Sequence, residues 1–149
     1  MTDSSQNPFA PSPIPNRIQI LIMLLMVPTF WNGLRFAEAL IFWKTLQEYG
    51  ARPGPLYMTV SGGVWLVCGI ALIAGIGGKK AWAWYATLGA ATGYPVWVWA
   101  DRLLLQKPHA NWPFGLIATL TCMLLVVIIM ITPRTRNYFG LRKEVHEHE

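Results

Sequence analysis

Four apolar stretches fill most of this 149-residue chain: Ile18–Trp43, Leu56–Ile76, Ala81–Leu105 and Trp112–Ile131. The hydrocarbon core of a bilayer is about 30 Å thick, and about 20 helical residues cross it at roughly 1.5 Å each. Lipid offers no hydrogen bonds to the backbone, so only helices and closed barrels can span it. Alternating strands are absent, which removes the barrel. The sequence therefore predicts an all-α membrane protein, an antiparallel bundle of four transmembrane helices.

The first helix is the unusual one. From Arg17 to Tyr49 only Pro28 interrupts the helical pattern, and in a membrane a proline kinks a helix rather than ending it. A helix over about residues 18–48 is roughly 50 Å long, more than a bilayer needs, so it tilts or projects. Gly50, Pro53, Gly54 and Pro55 supply the turn into a second helix over about 56–76. Gly77-Gly78 and Lys79-Lys80 form a tight hairpin before a third helix over about 81–105. Pro108 and Pro113 bracket the last connection, and Pro133 ends a fourth helix over about 112–132. Around this domain, 17–133, lie a disordered Pro-rich arm, 1–16, and a charged cytoplasmic tail, 134–149. The arm lacks a signal-peptide core and a small-residue cleavage site.

Four crossings put both termini on one side. Arg17, Lys79, Lys80, Arg134, Arg136, Arg142 and Lys143 collect there, against Lys44, Arg52, Arg102 and Lys107 opposite. The positive-inside rule places both termini in the cytoplasm and the protein, as a multi-pass chain, in the plasma (inner) membrane. The net charge of +5 faces anionic headgroups, so membrane lipids are the expected partners. No continuous basic face exists for nucleic acid. Only 13% of residues are charged, about half the usual share, and no room is left for a soluble catalytic module.

Small residues mark where helices approach closely. Gly89 and Gly93 form a GxxxG in the third helix; Gly62, Gly69 and Gly75 punctuate the second. Packing of the second helix on the third is the simplest use of these faces, and self-association is the other.

Counting from the cytoplasmic side brings Arg35 and Glu38 to the level of Asp101 and Arg102, with Asn32 one turn deeper and Asn111 opening the fourth helix. Charges at that depth must pair or reach water. Arg35 and Glu38 can pair along one helix face; Arg35–Asp101 and Glu38–Arg102 are cross-helix alternatives. Trp31, Trp65 and Tyr94 lie deeper than an interfacial aromatic belt requires, and Pro95 frees a carbonyl beside Tyr94. These residues read either as an interhelix polar cluster or as an outward-facing pocket with an aromatic wall and charged rim.

Chemistry is otherwise scarce. No catalytic arrangement, cofactor motif or metal site is expected. His109 lies in a loop, and Glu144-Val-His-Glu-His-Glu149 reads as a solvated tail. Cys68 and Cys122 read as small packing residues. The expected function is therefore a non-catalytic accessory or scaffolding subunit, packed on a protein partner or on copies of itself. The alternative is a small-molecule or lipid binding or transport protein using the pocket between the first and third helices. An enzyme at the outer interface is the least favoured.

Overall fold

The computed structural model describes residues 14–105 and 112–141. The Pro-rich arm up to residue 13, the loop carrying His109 and Asn111, and the Glu144–Glu149 tail lie outside the described residues. Helices α1 (Asn16–Ile41), α2 (Trp43–Glu48), α3 (Pro55–Gly77), α4 (Ala81–Leu104), α5 (Trp112–Ile131) and α6 (Pro133–Tyr138) account for nearly all of them, and no strand occurs among the described residues. Three helices, α1, α3 and α5, are long and apolar enough to cross a membrane. Helix α4 has the length, 24 residues, but not the hydropathy. Gly89, Thr92 and Gly93 interrupt its exposed face, and Asp101 and Arg102 lie in its last turn.

Two boundaries differ from the sequence-based expectation. Helix α1 runs through Pro28 and stops at Phe42, after which α2 restarts the chain at Trp43. Pro28 is tolerated because its ring removes one backbone donor inside a helix otherwise bonded on both sides. Nothing in the residue types at Phe42 accounts for the break. Helix α6 starts at Pro133, so the first residues of the charged stretch 134–149 are helical. A proline at the first helical position is preorganised for a new helix even as it ends the old one. Gly140, at φ +68°, then terminates α6 in the left-handed conformation that glycine accepts without strain.

The tightest seam lies between α1 and α3. A Cβ on Gly62 would sit 3.1 Å from the Asn32 carbonyl oxygen and 3.1 Å from the Phe36 nitrogen. A Cβ on Gly69 would collide with the Thr29 side chain, whose hydroxyl donates to the Leu25 carbonyl of its own helix at 2.6 Å. Contacting residues descend along α3 as they rise along α1. Gly75 plays the same part at the foot of α4, where Trp82 and Ala83 fill the space. In lipid the hydrophobic effect does not drive helices together, so such close approach supplies much of the attraction. Gly89 and Gly93 behave differently. Both are exposed, with nothing within 4 Å of a built Cβ, so the GxxxG does not carry the packing of α3 on α4.

The end of the molecule where α1 begins, here the basal end, holds the core: Ile18, Leu21, Ile76, Ala83, Val126, Met130 and Phe139. The Trp84 Nε1 donates to the Met130 carbonyl at 3.0 Å and ties α4 to α5. Helix α6 folds back beneath them. Tyr138 donates its hydroxyl to the Ile76 carbonyl at 3.2 Å, and burial pushes its pKa above 10.0, so the phenol stays a donor.

Candidate functional site

The opposite, distal end is tied by polar groups. Arg35 Nη2 and Asp101 Oδ2 form an ion pair at 3.2 Å between α1 and α4, with side chains 16% and 3% exposed. The guanidinium also lies 5.5 Å from the Trp97 ring centre, a cation–π distance. Tyr57, at the start of α3, interacts with Asp101 and with Trp97, which draws a third helix into the group. Of the three pairings open to the sequence, this is the one present. Glu38 is exposed, and Arg102 turns away toward Trp99, 5.7 Å from its ring, with Nη1 against Gly115 of α5. Pairing offsets part of the cost of holding two charges out of water, and removing one partner leaves the other charge uncompensated.

Asn32 lies one turn deeper and is 1% exposed. Its Nδ2 donates to the Pro28 carbonyl at 2.7 Å and to the Tyr94 hydroxyl at 3.0 Å. Trp65 meets Tyr94 edge-on, with ring centres 4.9 Å apart, and Trp97 lies 5.6 Å from Trp65 and 5.8 Å from Tyr94. Such arrangements match the opposed charge of ring face and ring edge. Trp31 stands outside this trio and is 64% exposed.

Between the distal clamp and the basal core lies a cavity of about 370 Å³. Helix α1 contributes Leu25, Pro28 and Asn32; α3 contributes Trp65, Cys68 and Leu72; α4 contributes Ala91 and Tyr94; α5 contributes Ala118 and Cys122. Small side chains on α4 and α5 make the room, because the helices are held apart at both ends by larger groups. Exposed liners on α1 (Val27 and Trp31) and on α5 (Ala118 and Cys122) mark where it opens to the surface. The volume falls within the range usual for small-molecule sites, as does an apolar wall with few polar groups. Arg35, Glu38, Asp101 and Arg102 are not on that wall.

Thus Asn32, Trp31, Trp65 and Tyr94 belong to the cavity, Arg35 and Asp101 to the clamp above it, and Glu38 and Arg102 to neither. Sequence reasoning missed the lower half of the cavity. Its signal was there in Ala91, Ala118 and Cys122, small residues on the neighbouring helices α4 and α5. Both cysteines line this space and both are exposed to it or to the surface. Among the described residues no group of three or more His, Cys, Asp or Glu is placed to hold a metal ion. Neither a protein-family model, a curated protein nor a solved structure matches this chain.

Proposed function

We propose that the chain is a four-span antiparallel membrane bundle that binds a lipid or other amphiphilic small molecule in the cavity between its helices. The cavity itself carries this reading. It is apolar, lies at mid-height, opens sideways, and ends at the Asn32–Tyr94 hydrogen bond. A sideways opening suits a ligand that arrives dissolved in the bilayer rather than in water. The basic residues at the basal end support placing both termini in the cytoplasm, in an inner or plasma membrane.

A long-chain amphiphile carrying a diazirine at mid-chain, in nanodiscs, tests the binding reading. Label concentrated on Leu72, Ala91 and Cys122 is the expected result. Label spread evenly over outward-facing Ile20, Val67 and Ile128 contradicts it.

The exposed pair Gly89 and Gly93 favours a second reading, an accessory or scaffolding subunit that docks a partner helix, or a second copy, on the outer face of α4. Gly89→Leu with Gly93→Leu abolishes co-purification of that partner if the reading holds. An unchanged assembly removes it.

A further inference from the structure

The polar inventory of the cavity wall narrows the chemistry of its occupant. Two of its side-chain hydroxyls are already used within their own helices: Thr29 donates to the Leu25 carbonyl at 2.6 Å and Thr119 to the Gly115 carbonyl at 2.7 Å. Such back-bonding spends a threonine's one donor and leaves its oxygen able only to accept. Asn32 is different. Its Nδ2 must face Pro28, whose carbonyl can only accept, and its second amide hydrogen goes to Tyr94. Both donors are spent, and Oδ1 is buried with no hydrogen-bond partner. The residue is 1% exposed and lies away from bulk water, so that need is open to a group seated in the cavity it lines. An unmet buried acceptor costs about 1–3 kcal/mol, and such groups are uncommon in folded proteins. Tyr94 complements it. Its oxygen accepts from Asn32, which leaves the phenol's proton for an acceptor elsewhere.

We propose that the cavity takes an uncharged amphiphile bearing a hydroxyl group, seated so that the hydroxyl donates to Asn32 Oδ1 and accepts from Tyr94. A hydroxyl satisfies both groups at once, whereas an ether, ketone or quinone carbonyl leaves Oδ1 unmet. A charged headgroup is disfavoured, because no charged side chain lines the cavity and Arg35 and Asp101 neutralise each other above it. The cavity's volume of about 370 Å³ accommodates an apolar body on the order of a dozen carbons. The inference rests on the cavity being a ligand site, as proposed above, and adds what that ligand must carry.

Cys68 and Cys122, the only two cysteines, supply the readout, since both line the cavity. The intact protein in nanodiscs is treated with N-ethylmaleimide, and alkylation of each cysteine is followed by peptide mass spectrometry. Three probes compete: 1-dodecanol, its methyl ether and dodecane. The alcohol is expected to protect both cysteines at about tenfold lower concentration than the ether or the alkane, the worth of roughly one hydrogen bond. Tyr94→Phe, which removes only an oxygen, is expected to weaken protection by the alcohol and by the ether alike, with the alkane protecting as before and the alcohol keeping its preference over the ether. Asn32→Leu is expected to abolish it, and Tyr94→Phe keeps the test valid if the Leu variant fails to fold. Equal protection by alcohol and ether overturns the hydroxyl inference but leaves the cavity as a ligand site. No protection by any of the three overturns both.

Discussion

The two ends of this molecule hold the same helices together by opposite means. At the basal end, Ile18, Leu21, Ile76, Ala83 and Met130 interdigitate with Phe139, and α6 closes the base. At the distal end, Arg35, Asp101, Asn32 and Tyr94 join α1 to α4 through an ion pair and a hydrogen bond. Apolar packing tolerates small adjustments in many places, because its energy is spread over many weak contacts. A buried ion pair concentrates its energy in one geometry and fails abruptly when one partner goes. The lesson is that α1 and α4 need not touch along their length. They are fastened at their ends, and the space between is left open as the cavity.

The difference between the ends can be broken in order of expected cost. Gly75→Leu at the base would drive a side chain into the Trp82 ring, 2.7 Å from where its Cβ falls. A loss of about 3 kcal/mol or more is expected, read as a lowered thermal midpoint or failure to fold in detergent. Asp101→Asn at the distal end strands Arg35 and is expected to cost about 3 kcal/mol. The double replacement Arg35→Leu with Asp101→Leu should recover part of that loss, and a strictly additive result in the double-mutant cycle would deny the pair its role.

Met130→Ala removes a fully buried side chain from the basal core. About 2 kcal/mol is expected, toward the low end of such truncations, because lipid and core differ little in polarity. Glu38→Gln should change stability by less than about 0.5 kcal/mol, since Glu38 is exposed and lies apart from the clamp. If Glu38→Gln costs as much as Asp101→Asn, the distal end is not organised as described.

Much of this architecture was legible in the residues. The helices, three of them long and apolar enough to cross a membrane, and the turns at Gly50–Pro55 and Gly77–Lys80 follow from length and breakers. The choice of Arg35–Asp101 over its rivals was not, because three pairings share one level and only the rotation of each helix decides among them. Rotation also decides the glycines. Gly62, Gly69 and Gly75 turn inward and Gly89 and Gly93 outward, although the GxxxG spacing belongs to the outward pair. The stop at Phe42 had no residue to announce it. Helix α6 was hidden behind Pro133, which reads as an end and serves also as a beginning.

Native mass spectrometry of the protein extracted gently from its own membrane, beside Ala91→Phe and Ala118→Phe variants that fill the cavity, tests the central claim most directly. The account predicts a small neutral molecule retained by the unaltered chain and lost from both variants, which stay folded. A bare chain in all three preparations, or a molecule retained equally by the filled variants, would contradict it.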